Sequence, residues 1–307
     1  MNGSYYIAGH TGLVGSSLLR SLNATGSRII TKSPAELDLT QQSEVNHFFK
    51  NNRPDFVVLA AARVGGINAN QKYPVEFLYE NLMITANVLH SAAEFGVKKL
   101  IYLSSACVYP RLAEQPIQEK SLLTGPLEPT NEAYALAKIS GIKLCEAYQR
   151  QYSKNFISII PANLYGPGDH FDLERAHVIP GMIKRFHYAK INQSPNVQIW
   201  GTGRAIRDFL FVDDLAQAVF FLMEKYNEIA PLNVGTGQGT SIAELATTLG
   251  RIVGYKGKIE FDASKPDGMP KKVLECTRLN ELGWKPQHSL ESGLQKTYEW
   301  CFDKNIL

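Results

Sequence analysis

Tyr134 and Lys138 stand four residues apart in the run Asn131-Glu132-Ala133-Tyr134-Ala135-Leu136-Ala137-Lys138. In a helix that spacing puts both side chains on one face, one turn apart. An ammonium beside a phenol favours the phenolate, so Lys138 is expected to draw the Tyr134 pKa down from about 10 towards the working pH. A tyrosine tuned in that way can act as general acid or base for a carbonyl/alcohol couple. The same spacing is common on solvated helix faces, so its meaning depends on the elements around it.

The strongest of those elements lies at the N-terminus. Tyr5-Tyr6-Ile7-Ala8 reads as a short buried strand, followed by Gly9-His10-Thr11-Gly12-Leu13-Val14-Gly15 and a helix whose apolar residues recur at Leu13, Val14, Leu18, Leu19 and Leu22. Strand, glycine-rich turn and helix start together make a dinucleotide site. The glycines allow the tight turn, let a pyrophosphate reach the amides at the helix N-terminus, and let helix and strand pack closely. The spacing Gly-x-x-Gly-x-x-Gly is one residue longer at the front than the common dinucleotide fingerprint.

The first half of the chain continues to alternate. Arg28–Thr31, Asp55–Ala62, Lys99–Ser105 and Ile157–Ile160 read as strands, and Pro74–Phe95 and the run around Tyr134 as helices. Near-continuous apolar strands between helices predict an α/β fold with a doubly wound parallel sheet and ligands at the carboxyl ends of its strands. Small residues at those ends, Ala60 to Ala62 and Ser104 to Cys107, would let a flat cofactor approach the backbone. After about residue 165 the pattern loosens. Val178–Tyr188 reads as a helix and Val197–Trp200 as a strand. Asp213-Asp214 is expected to cap a helix beginning near Leu215, and Ser241 to cap Ile242–Val253. The expected division is a cofactor domain over 1–165 with returning segments around 205–237, and a smaller, interleaved substrate lobe over 166–204 and 238–307.

Composition sets bounds. At 307 residues the chain can bury a sizeable core, and 44% hydrophobic with 20% charged residues is ordinary for a globular protein. A net charge of +3 gives no argument for nucleic acid and does not oppose a small anionic ligand. No run of about 18 apolar residues or secretory signal pattern is seen, so a cytoplasmic protein with free thiols is expected. Cys107, Cys145, Cys276 and Cys301 lack metal-ligand spacing, and no metal is expected.

The glycine turn, the serine strand end and the Tyr134/Lys138 pair together resemble the extended short-chain dehydrogenase/reductase superfamily, which modifies nucleotide sugars. Longer motifs narrow the resemblance to the GDP-L-fucose synthase family, the GDP-4-keto-6-deoxy-D-mannose 3,5-epimerase/4-reductases. They include Ala61 to Ile67, Ser105 to Pro110, Leu127 to Glu132, Ala137 to Lys143, Asn163 to Pro167, His177 to Pro180 and the motif Lys265-Pro266-Asp267-Gly268. The similarity runs from about residue 5 to about residue 300.

The resemblance implies a Rossmann-type fold and an NADPH-dependent reaction in two stages. Cys107 and His177 would epimerise C3 and C5 as base and acid. Tyr134, Lys138 and Ser105 would then carry the reduction of the 4-keto group. It also implies that NADP lies against Gly9, His10, Thr11, Gly12, Leu13, Val14, Gly15, Lys32, Ser33 and Leu39. Further cofactor contacts would come from Ala60, Ala61, Ala62, Leu103, Ser104, Lys138, Pro161, Ala162, Asn163, Leu164 and His177. The GDP-sugar would meet Asn163, Val178, Arg185, Trp200, Arg207, Asp267 and Lys272. The family's usual partner is a second copy of the chain, in a homodimer built on a four-helix bundle.

The chain also departs from the family. Thr11 and Pro34 stand where the family carries basic residues near the adenosine 2′-phosphate, leaving Lys32, Ser33 and Thr11 to bind it. Ser104-Ser105-Ala106 replaces the usual Gly-Ser-Ser, and Ala162 replaces a threonine. A reductase of a related GDP-4-keto sugar, such as a 6-deoxyheptose, and a dinucleotide-binding sensor without turnover are the alternative readings.

Overall fold

Five of the six strands of the main sheet are buried along their whole length because the sheet is covered on both faces. The computed structural model describes residues 3–23, 26–172, 176–265 and 267–307. Pro266 of the Lys265–Gly268 motif lies outside them. In chain order the strands are β1 (Ser4–Ala8), β2 (Arg28–Ile30), β3 (Phe56–Leu59), β4 (Lys99–Leu103), β5 (Phe156–Pro161), β6 (Asn163–Tyr165), β7 (Asn196–Trp200), β8 (Ile206–Arg207), β9 (Phe209–Phe211), β10 (Leu232–Val234), β11 (Thr240–Ser241), β12 (Lys258–Asp262) and β13 (Lys271–Lys272). The helices are α1 (Leu13–Asn23), α2 (Gln42–Asn52), α3 (Ile67–Lys72), α4 (Pro74–Glu94), α5 (Glu132–Tyr152), α6 (Val178–Ile191), α7 (Val212–Lys225), α8 (Ile242–Val253), α9 (Thr277–Glu281) and α10 (Leu290–Asp303).

The main sheet has the order β10-β5-β4-β3-β1-β2, and every pairing in it is parallel. The strand order reverses beside β1, so the crevice between the carboxyl ends of β1 and β3 is a ligand site by topology. The expected strands are found, β2, β3 and β4 with tighter ends and β1, β5 and β7 slightly longer. Thr31, Ala60 to Ala62 and Ser104-Ser105 lie just beyond β2, β3 and β4, although the Ala60 amide still donates to Ala8 O at 3.0 Å.

Buried apolar side chains form two clusters. One surrounds the main sheet, where Tyr6 meets Phe48 at 4.5 Å and Phe49 edge-on at 5.7 Å between ring centroids. The second gathers Phe186, Ile199, Leu249 and Leu294 from α6, β7, α8 and α10. Parallel pairing of β6 with β9 joins the regions, and β8 forms a small sheet with β11 and β13.

Ser241 caps α8 as expected and completes a capping box with Glu244. The Asp213-Asp214 expectation fails. Phe211 occupies the cap position, α7 begins at Val212, and both aspartates lie in its first turn. Their carboxylates are engaged elsewhere: Asp213 accepts from Ser17 Oγ and Arg20, both at 2.6 Å, and Asp214 from His288 Nδ1 at 2.8 Å.

Helices α4 and α5 lie against each other. The close approach of α5 to β4 depends on Gly141, where any Cβ would fall on the Tyr102 ring. Gly141→Ala is therefore expected to destabilise the protein by about 1–3 kcal/mol despite alanine's better helix propensity. Urea unfolding checks this; an unchanged midpoint would show that Tyr102 can move aside.

Candidate active site

The glycine turn shapes the first part of the site. Gly9 has φ +85°, and a Cβ there would lie 2.7 Å from Ala61 Cα, so the ends of β1 and β3 touch backbone to backbone. A Cβ on Gly15 would collide with Gly9 O. The turn closes with Gly12 N donating to Gly9 O at 3.1 Å and opens into α1. His10, Leu13 and Val14 are half-buried and Thr11 is exposed at its rim. This glycine cradle at a helix N-terminus, at the reversal of strand order, fits a dinucleotide.

Beyond β2, Lys32 and Ser33 converge on Glu36. Its carboxylate accepts from Ser33 N at 2.9 Å, Ser33 Oγ at 2.8 Å and Lys32 Nζ at 3.2 Å. Those bonds, the Ser33 amide first, hold the Glu36 carboxyl down at about 2. Leu39 O accepts from Asn87 at 3.0 Å.

At the end of β4, Leu103 and Ser104 are buried, and Ser104 Oγ has no hydrogen-bond partner. Ser105 caps the short 3-10 turn Ala106–Val108, its Oγ accepting from Cys107 N at 3.3 Å. The same hydroxyl is hydrogen-bonded to Tyr134. The Tyr134 ring packs edge-on to Phe77 at 6.2 Å. Lys138 Nζ donates to Leu103 O at 2.9 Å and lies 5.0 Å and 5.8 Å from the Tyr102 and Tyr134 ring centroids.

One expectation is corrected here. The Tyr134 pKa is pushed up rather than down, by burial first and then by the neighbouring Cys107, with the Ser105 bond opposing. Lys138 sends its proton to a carbonyl instead of the phenol, and burial lowers its own pKa to about 8. Desolvation dominates, so Tyr134 holds its proton.

Cys107 is partly exposed, while Cys145, Cys276 and Cys301 are buried. Asn131 Nδ2 donates to its sulfur at 3.2 Å. Nothing local in the sequence marks Asn131 beyond its place three residues before Tyr134, close enough to share a face. Burial lowers the Arg207 pKa, opposed by nearby Asp267, Cys107 and Glu128, so Arg207 belongs to the same neighbourhood. The β8–β13 register pairs Arg207 with Lys272 and sets two cations side by side.

Other expected residues lie around this centre. Pro161 ends β5, Ala162 is buried, and Leu164 is half-buried. Asn163 gives its backbone N and its Nδ2 to Asp208 O. Trp200 is half exposed between Arg185, 5.3 Å from its ring, and Lys265, 5.6 Å away. Trp200, Arg185, Tyr188 and Gln198 line a cavity of about 420 Å³. Asp267 accepts from Thr202 N and Oγ1, both at 2.7 Å, so its carboxylate fastens the Gly201–Gly203 turn. His177 precedes α6, next to exposed Val178. Its Nδ1 is 3.7 Å from Asp169 Oδ1, and no described contact joins it to Cys107. Among the described residues no cluster of His, Cys, Asp and Glu could hold a metal ion.

Residues 5–235 match the model of the NAD dependent epimerase/dehydratase family. The chain is 50% identical to GDP-L-fucose synthase 1 of Arabidopsis thaliana over 302 residues, 98% of this chain and 93% of that one. It is 49% identical to GDP-L-fucose synthase of Escherichia coli (strain K12), covering 97% and 96%. Among solved structures, it matches a GDP-mannoheptose C4 reductase from Campylobacter jejuni with NADP bound at 36% identity and a TM-score of 0.90, covering 97% and 98%.

Burial of Lys138 has a stability signature. Its folded pKa is about 8 against the usual 10.5. Below about 8 the folded chain carries the full cost of a buried charge. Between those values unfolding takes up a proton, so this contribution to stability rises with pH. Lys138→Met is expected to stabilise the protein at pH 7 by about 1–3 kcal/mol, with the gap narrowing towards pH 10. Urea midpoints across that range would show it, and a gap that does not vary with pH would refute the buried-charge account.

Proposed function

The chain belongs to the NAD dependent epimerase/dehydratase family, and on that premise we propose that it converts GDP-4-keto-6-deoxy-D-mannose to GDP-L-fucose by 3,5-epimerisation and NADPH-dependent 4-keto reduction. The carrying observation is about 50% identity, over nearly the whole chain, to relatives named for that activity. NADP as the cofactor agrees with the glycine cradle and with the NADP-bound relative.

NADPH, when bound, supplies the hydride for C4. The protein's residues manage protons and charge. The 4-keto group acidifies the C3 and C5 protons. Cys107 removes a proton as base, and His177 returns one to the opposite face. Negative charge then develops on O4, where the Tyr134 and Ser105 hydroxyls donate as an oxyanion site does. When C4 is reduced, Tyr134 gives its proton to O4. The upward push on its pKa suits that direction, because the phenol is still protonated when the proton is needed. Lys138 supplies the positive charge that stabilises the resulting tyrosinate.

Arg207 and Lys272, paired across β8 and β13, receive the diphosphate. Arg185 and Trp200 receive the nucleotide end beside the 420 Å³ cavity, with Asp267 holding the adjoining turn and Val178 and Asn163 bordering the sugar. Lys32, Ser33 and Thr11 bind the 2′-phosphate, with Glu36 giving up its Lys32 and Ser33 bonds. The main sheet is the cofactor domain, and the second cluster is the core of the substrate lobe. No helix among the described residues is long and apolar enough to cross a membrane, and we place the reaction in the cytoplasm.

Incubation with GDP-4-keto-6-deoxymannose and NADPH in deuterated water tests the reading. Deuterium at C3 and C5 together with NADPH loss is expected. NADPH loss without exchange would instead assign a reductase of a related GDP-4-keto sugar, and neither with folded protein would overturn catalysis. Cys107→Ser should reduce exchange about 100-fold and spare the hydride step. Equal loss of both would remove cysteine as the dedicated base.

The outer faces of α4 and α5 expose Val75 (72%), Tyr79 (60%) and Leu136 (42%). Pairing these helices across a two-fold axis would bury them in a four-helix bundle. Sedimentation at micromolar concentration should therefore show a dimer; a monomer would refute this assembly.

A further inference from the structure

We propose that Asn131 is a positioning residue for Cys107, its side-chain amide donating to the sulfur and fixing its direction. The inference rests on the reading of Cys107 as the base, and its test can fail separately from that reading.

Asn131 occupies the cap position of α5, with φ −143° and ψ 22°, as the last residue of the 3-10 turn Pro129–Asn131. Asparagine is favoured there because its side-chain oxygen accepts from an amide of the first helical turn. This one makes no such bond. Its Oδ1 is buried without a partner, and its Nδ2 donates to Cys107 Sγ at 3.2 Å, across 24 residues of sequence. The side chain forgoes the helix cap and leaves an acceptor unpaired. Helix stability does not account for that choice.

A donor to sulfur does account for it. A neutral thiol accepts hydrogen bonds weakly, whereas a thiolate accepts charge-assisted ones. The bond therefore matters most in the form that removes a proton. The Cys107 backbone is already held by Ser105, so the amide adds the remaining constraint on where the sulfur points. Ionisable groups near Cys107 among the described residues include Tyr134 from α5 and Arg207 from β8. Glu128, near Arg207 and paired with Arg111 at 3.3 Å, lies in the loop before α5. Arg207 contributes a charge, and Asn131 contributes a directed donor.

Cys107 is the accessible thiol of the four cysteines, so its reactivity can be read directly. The experiment measures site-resolved iodoacetamide alkylation of Cys107 from pH 5 to 10 in the wild type, Asn131→Ala and Asn131→Asp. Thermal unfolding and C3/C5 deuterium exchange are followed in parallel. Asn131→Ala should slow alkylation at pH 7 about three- to tenfold. Asn131→Asp should slow it further, because a carboxylate cannot donate and repels the thiolate. Aspartate is also a good cap and suits a helix N-terminus, so that variant should melt no lower than the wild type. A purely structural role predicts the opposite coupling, with reactivity changing only where the melting temperature falls. Alkylation profiles identical to wild type in both variants would overturn the proposal. Normal exchange in Cys107→Ser would overturn the base assignment instead, and the alkylation result would still decide the role of Asn131.

Discussion

The bond from the Lys138 ammonium to Leu103 O, at 2.9 Å, is the constraint on which the site depends. It places a charge among buried groups and attaches α5 to the carboxyl end of β4. The Tyr102 and Tyr134 rings flank the ammonium and return part of its lost hydration as cation–π attraction. Tyr134 is set one turn before this anchor, and Ser105 and Cys107 begin two residues beyond the anchoring carbonyl. Gly141 lets the helix come close enough for the bond to form.

That anchor also separates the roles of two side chains that spacing alone would merge. Lysine next to tyrosine suggested a phenol poised to lose its proton. Burial reverses the expectation: the phenol retains its proton, and it is the lysine that titrates nearer neutrality. For a reduction, that division is the useful one. Cys107 is held by the 3-10 turn after β4, with Asn131 before α5 and the strand carrying Arg207 beside it.

What the sequence made legible was local. The glycine turn, the apolar strands, the Ser241 cap and the Tyr134/Lys138 face all depend on neighbours within a few residues, where propensity and periodicity act. What it hid depends on chain crossings. The approach of Gly9 to Ala61, the Arg207–Lys272 register and the Thr202–Asp267 bonds span about 50 to 65 residues. Asp213 and Asp214 looked like a cap because the local pattern was right, and Ser17, Arg20 and His288 claimed them instead. Asn131 is hidden for a related reason: an asparagine before a helix already has an ordinary explanation. The family motifs brought the reactive residues into one account, but they carry no information about hydrogen-bond partners.

The routing of the chain through its two apolar clusters has a further consequence. The edge strand β10 of the main sheet and the α9 segment beside it come from residues 232–234 and 277–284, on either side of α8, which belongs to the other cluster. Asp208 reinforces the junction, its carbonyl taking both nitrogens of Asn163 and its carboxylate the amides of Thr236 and Gly237. No single cut separates a complete sheet from a complete lobe. A chain break anywhere between β10 and α9 therefore takes residues away from both apolar clusters at once.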